Sequence, residues 1–262
     1  MVGRVEKYLL ERINNEGAIH ITLIDPERVN LETAASISGD SEALGSSAIM
    51  IGGTTLVSQN LLNSVVKQVK EAVSIPVILF PNNITAISEY ADAIWFMSLL
   101  NSADPYFISG AQVLAAPLIK KLSLEAIPLG YIIVGEGGSA GVIGKACPIP
   151  YNKPELAAAH ALAAEFFGMR FVYLEAGSGS SRPVPASMIR VVKEAISIKL
   201  IVGGGIRSGA QAKEAVKSGA DIVVTGTIVE GKEEERVRSK LNEIIEGIRE
   251  GVRAKFKEVN NP

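Results

Sequence analysis

The chain has 262 residues, 47% of them hydrophobic and 5% aromatic, with 26 Lys and Arg against 28 Asp and Glu. That length, undivided by any Pro/Ser-rich linker, predicts one domain over residues 1–262, and the net charge of −2 argues against a general nucleic-acid surface. A single cysteine, Cys147, excludes an internal disulfide framework, His20 and His160 are too isolated for a zinc site, and no apolar run is long enough to span a bilayer, so a soluble protein of a reducing cytoplasm is expected.

In chain order, Val5, Leu9 and Ile13 stand four apart within residues 2–14, a helix able to plug or flank the bottom of a barrel. Ala18–Ile24 reads as a first strand and runs into Asp25-Pro26. Asp25 therefore falls at the C-terminal mouth of that strand, where barrel chemistry is found, although the same residue could simply start a turn or cap the helix over Leu31–Leu44. A second strand, Ala48–Ile51, ends in Gly52-Gly53-Thr54-Thr55. The Thr54 hydroxyl suits a metal or a phosphate, and suits equally well an N-cap of the next helix, whose apolar face carries Leu61, Leu62, Val65, Val66 and Val69.

The third strand, Pro76–Phe80, is separated from the fourth, Ala93–Phe96, by only about a dozen residues, too few for a full crossover helix with its turns. The helix after strand three is expected to be shortened or missing. Trp95 reads as a core residue. Pro105 is placed to open a helix in the small-residue run that follows. Beyond the fifth strand, Ile127–Val134, five glycines between Gly135 and Gly144 suggest a flap over the mouth, with Lys145 solvated beside it. The helix over Pro154–Phe167 has an alanine face, Ala157, Ala161 and Ala164, and His160 within it reads as structural.

Three more apolar runs, Phe171–Leu174, Leu200–Val202 and Asp221–Val224, each end in small residues at βα spacing, as buried parallel strands do. Tyr173 and Glu175 alternate and should point the same way, with Leu174 opposite; a carboxylate and a phenol at a barrel mouth can accept and orient a hydroxyl proton. Gly-Gly-Gly-Ile-Arg-Ser from Gly203, then Thr225-Gly226-Thr227, look like the phosphate grip after strands seven and eight of a (β/α)8 barrel. A terminal helix over residues 233–256 repeats Val237, Leu241, Ile244, Ile245, Ile248, Val252 and Phe256 at helical spacing. The fold class is α/β, a TIM barrel modified at its third helix.

Taken in order, Leu-Ile-Asp-Pro, Gly-Gly-Thr-Thr, Tyr-Leu-Glu-Ala-Gly-Ser-Gly, Gly-Gly-Gly-Ile-Arg-Ser and Thr-Gly-Thr resemble the geranylgeranylglyceryl phosphate synthases, from about His20 to Gly231. The long flap and the Pro-Val-Pro after strand six look like the second of that family's two groups. The resemblance implies Mg2+-dependent transfer of a geranylgeranyl group from its diphosphate to the 3-hydroxyl of sn-glycerol 1-phosphate, the first ether bond of archaeal-type membrane lipids. By the same resemblance Asp25 and Thr54 match the magnesium site, and Tyr173, Leu174, Glu175, Ala176, Gly177, Ser178 and Gly179 match the glycerol phosphate loop. Gly204, Gly205, Gly226 and Thr227 complete the phosphate grip, Glu175 is the candidate base, and Tyr173 orients it. A homo-oligomer, dimer or hexamer, is implied as well.

The polyprenyl tail needs an apolar trough, placed here at Ser102–Pro117 and the mouth of strand three. The alternatives are a relative with another prenyl donor, a phosphosugar isomerase or synthase of the phosphate-binding barrels, and a non-catalytic phosphate-binding scaffold. The phosphosugar enzymes need a second polar end to their site, and the region between strands three and five is apolar.

Overall fold

Eight apolar runs form eight parallel strands: β1 (Ile19–Ile24), β2 (Ala48–Ile51), β3 (Val77–Leu79), β4 (Ala93–Leu99), β5 (Glu125–Ile133), β6 (Phe171–Glu175), β7 (Lys199–Gly203) and β8 (Ile222–Thr225). They pair in chain order, and β8 closes on β1 with Ile19 opposite Ile222 and Thr22 opposite Thr225. This computed structural model describes residues 2–55, 58–226 and 234–260. The helices are α1 (Arg4–Glu16), α2 (Leu31–Leu44), α3 (Gln59–Ala72), α4 (Ala111–Lys121), α5 (Gly138–Ile143), α6 (Pro154–Phe166), α7 (Ala186–Ala195), α8 (Gly209–Lys217) and α9 (Glu234–Asn260).

Alternation along each strand sends one set of side chains into the barrel and the other against the helices. Ile21, Met50, Ile78, Trp95, Leu129, Phe171, Ile201 and Ile222 pack together inside. Val5, Leu9 and Ile13 of α1 join that interior cluster, so α1 plugs the barrel. Its first amides have no intrahelical acceptors. The Glu125 carboxylate, at the start of β5, takes the amides of Val5 and Glu6 at 2.8 Å each and fastens the plug. Trp95 is core, as expected: its indole N–H points to Met50 Sδ at 3.1 Å and its ring meets Phe171 edge-on.

The outer face of β1 is polar, unlike its neighbours. His20 bonds Ser46 Oγ and Thr225 Oγ1, each at 2.8 Å, and Thr22 donates to Ser41 Oγ at 2.9 Å. Burial lowers the His20 pKa to about 3, so it is a neutral structural link between β1, β8 and the loop after α2. His160 likewise serves its own helix, with Nδ1 2.8 Å from the Leu156 carbonyl. The alanine face of α6 is buried at Ala157, Ala161 and Ala164, and α9 buries Val237, Leu241, Ile244, Ile245 and Ile248. Phe256, read as the end of that face, is exposed.

The connection from β3 to β4 contains no helix. Residues Phe80–Asp92 run as turns and loop, and on the outer face of β4 Ile94 and Phe96 line a cleft where a regular barrel would pack its third helix. On the far side of that gap, Pro105 opens a π-helical turn, Tyr106–Gly110, which feeds α4.

Candidate active site

Glu175 ends β6 inside the barrel mouth, where it is almost fully buried. A carboxylate taken out of water needs donors. The Gly177 amide donates to Glu175 Oε1 at 2.6 Å, and the phenols of Tyr173 and Tyr131 donate to the same carboxylate. Burial nevertheless outweighs these bonds and raises the Glu175 pKa above the ordinary carboxylate range. Burial and the Glu175 charge push both phenols well above the usual tyrosine range, so they stay protonated and act as donors. Tyr131, Tyr173 and Phe80 form a triangle of rings with centroids 5.3 to 5.7 Å apart, which floors the site.

The glycine loops close around this carboxylate. At Gly204, φ is +80°, and a Cβ there would lie 2.7 Å from the Gly177 nitrogen and collide with Glu175 Oε1; only glycine lets the β7 loop approach the β6 loop so closely. Ser178, Gly179, Gly204, Gly205 and Gly226 all line the mouth. Leu174 and Ala176, from the same motif, turn their side chains outward into the helix-side core, so neither presents a side chain to the cleft. Thr227 lies outside the described residues.

Asp25 and Thr54, from the ends of β1 and β2, line the same cleft, and the pairing of β1 with β8 puts Asp25 on the side of Gly226. Asp25 Oδ1 accepts the Glu27 amide at 3.0 Å, and Oδ2 is 3.4 Å from Arg28 Nε. It thus starts a turn while its carboxylate faces the cleft, and burial raises its pKa. Neither Asp25 nor Thr54 caps a helix: Asn30 caps α2 and Ser58 caps α3. Gly53 is needed beside Asp25, because a Cβ there would overlap the carboxylate. The Thr54 carbonyl accepts from Asn82 Nδ2 at 2.9 Å, which ties β2's loop to β3's.

From Glu175 the cleft runs outward between β3's loop and α4, past Ile84, Ile87, Ile94, Phe96, Ala115 and Ile119. It encloses about 1570 Å³ of free space, counting its open mouth. The missing helix is what makes this trough. Ala115 faces it, whereas Ala116 is exposed on the other side of α4. The glycine-rich flap holds α5, which adds Ala140 and Ile143 to the cleft wall. The flap also rests on the β6 loop: Gly137 donates to the Ala176 carbonyl at 3.2 Å, and Ser181 donates to Glu136 at 2.8 Å. Lys145 pairs with Asp104 at 2.7 Å on the surface.

Two contributors to the site, Tyr131 and Phe80, do not stand out in the sequence. Tyr131 pairs directly with Tyr173 across β5 and β6, a neighbourhood that exists only once the register is known. An aromatic at the inward phase of a strand near its C-terminal end is the one signal that could have found it.

Residues 11–247 match the PcrB family. The chain is 52% identical to the geranylgeranylglyceryl phosphate synthase of Thermofilum pendens over 98% of its length and 100% of the relative's. It is 51% identical to that of Pyrococcus abyssi, over 95% and 99%. Among solved structures it is similar, at 39% identity and a TM-score of 0.90, to (S)-3-O-geranylgeranylglyceryl phosphate synthase from Thermoplasma acidophilum in complex with sn-glycerol 1-phosphate, covering 95% of this chain and 100% of that one.

Proposed function

The chain belongs to the PcrB family, and from that premise we propose that it transfers a geranylgeranyl group from its diphosphate to the 3-hydroxyl of sn-glycerol 1-phosphate. The enzyme is a prenyltransferase that makes the first ether bond of archaeal-type membrane lipids. One observation carries this reading: a buried carboxylate stands where a glycine-lined mouth meets an apolar trough opened by the absent helix. The relatives named above carry the same activity in their names, and the Thermoplasma acidophilum structure holds the acceptor.

In the reaction, the loops at Ser178–Gly179, Gly204–Gly205 and Gly226, with Thr227, hold the acceptor phosphate through backbone amides, while the Gly177 amide stays on Glu175. Glu175 takes the proton of the 3-hydroxyl while that oxygen bonds to the allylic carbon, and the carbon–oxygen bond to diphosphate breaks with its electrons leaving on the diphosphate. Tyr173 and Tyr131 hold the carboxylate in place for that transfer. Asp25 and Thr54 offer only oxygen donors, and the Asp25 carboxylate faces the cleft, a donor set that suits Mg2+ shared with substrate phosphates. The metal, when bound, would neutralise the departing diphosphate. Among the described residues no cluster of three or more His, Cys, Asp or Glu is present, and a site completed by a diphosphate needs none.

Mass spectrometry of a reaction with both substrates should show the prenyl ether of glycerol phosphate with one diphosphate released per ether. Diphosphate release without the ether would reduce the protein to a hydrolase and sink the proposal. Donor length is set in the trough: Ala115→Phe should lower kcat/KM for the geranylgeranyl donor about tenfold while sparing a farnesyl donor. Ala116→Phe, on the exposed side of α4, should change neither; equal effects of the two substitutions would move the tail elsewhere.

Among the described residues no helix is long and apolar enough to cross a membrane; a cytoplasmic enzyme is our reading. Val113, Leu114 and Leu118 on α4 and Phe166 and Phe167 at the end of α6 expose large apolar side chains, which supports a homo-oligomer, dimer or hexamer. Light scattering that returned a monomer mass would overturn that.

A further inference from the structure

The charged side chains lining the cleft, among the described residues, are Asp25, Glu175 and Arg207, and only the last is a cation. The proposed substrates are both polyanions. A metal at Asp25, at the end of β1, would answer the diphosphate, whereas the β6 and β7 glycine loops stand on strands that do not pair with β1. The acceptor phosphate, a dianion near neutral pH, would otherwise meet only the partial charges of backbone amides there.

Arg207 stands in the right place to supply the missing charge. It lies in the β7 loop immediately after Gly203-Gly204-Gly205-Ile206, and its Nη2 donates to the Gly179 carbonyl of the β6 loop at 3.0 Å. Its backbone amide donates to Gln211 Oε1 at 2.7 Å, and Ser208 caps α8 next to it, so the stem of the side chain starts from a fixed backbone. A guanidinium has several N–H donors in a planar fork. One can stay on Gly179 while others reach a phosphate oxygen, which would tie the two phosphate loops together around the bound anion.

Resting on the function proposed above, we infer that Arg207 is a specificity-determining residue of the acceptor site: it supplies the positive charge that recognises the phosphate of the glycerol substrate and clamps the β6 loop onto it. A phosphate monoester is thereby favoured over a neutral polyol as acceptor.

Titration calorimetry of sn-glycerol 1-phosphate into the full-length wild type, Arg207→Gln and Arg207→Lys tests this. The Gln variant should bind about tenfold more weakly, and its affinity should fall less steeply with added salt than that of the wild type. Lysine should restore the salt dependence and only part of the affinity, because it brings the charge without the planar fork. In the transfer reaction, KM for the glycerol phosphate should rise in the Gln variant while KM for the prenyl donor stays put and kcat changes less than about twofold. Equal affinities for wild type and Arg207→Gln would overturn the inference, as would a parallel rise in both KM values, which indicates a merely structural role. If the wild type binds sn-glycerol 1-phosphate but forms no ether, the proposed reaction fails, and the role of Arg207 is still decided by the titration.

Discussion

Glu175→Gln lowers kcat about a thousandfold and leaves the affinity for sn-glycerol 1-phosphate nearly unchanged. The amide keeps the size and the acceptor oxygen of the carboxylate but cannot take a proton, and positioned general bases contribute on the order of 10² to 10⁴ in rate. The same substitution should make the protein more resistant to heat at pH 7. Burial raises the Glu175 pKa above its ordinary value of 4.5, so the native state holds its proton to higher pH than the unfolded chain does. Stability therefore declines as pH rises from the ordinary carboxylate value through the raised one, and stays lower above it. Removing the charge relieves that penalty, and the advantage of the Gln variant should shrink as pH falls below the carboxylate range. Activity of the wild type has the opposite slope, falling as pH drops through the raised Glu175 pKa. Paired melting curves and pH profiles check both signs. A variant with normal kcat, or one destabilised at pH 7, would contradict the role given to this carboxylate.

Asp25→Asn carries the second large effect, a loss of roughly 10³ in kcat/KM at millimolar Mg2+, partly recovered at higher Mg2+. Asparagine can still accept the Glu27 amide that starts the turn after β1, so the backbone at the mouth should survive. The change removes only the anionic oxygen facing the cleft. Because Asp25 and Glu175 end β1 and β6, which are not neighbours in the barrel, binding of sn-glycerol 1-phosphate should move less than about twofold. Kinetics across a magnesium series, with calorimetry of the acceptor alongside, separate the two sites. Unchanged magnesium dependence would remove Asp25 from the metal site, and loss of acceptor binding would show that the mouth itself had been disturbed.

Much of the barrel is legible in the sequence because buried parallel strands read as unbroken apolar runs. Ala48–Ile51 emerges with the expected bounds, and the short interval before Ala93 correctly leaves no room for a helix. The phase of β6 is legible too, since strict alternation puts Tyr173 and Glu175 in the barrel and Leu174 outside it. What is not legible depends on register or on competing local signals. Tyr131 becomes a partner of Glu175 only through the alignment of β5 with β6. Gly138–Ile143 forms α5 although glycine disfavours a helix, because the segment is held between the cleft and the β6 loop. Around Thr54, cap and ligand readings are equal in local sequence, and Ser58, four residues on, takes the cap. Arg207 is visible within its glycine motif, but nothing in the sequence sets it against Gly179.

The most direct test is a radiolabelled transfer assay with the geranylgeranyl donor, offering sn-glycerol 1-phosphate or its 3-phosphate enantiomer, with Mg2+ present or chelated. Butanol-extractable label should appear with the 1-phosphate alone and vanish on chelation. Label from both enantiomers equally, or no label from either while the 1-phosphate still binds, would contradict a site in which Glu175 and the glycine loops select the acceptor.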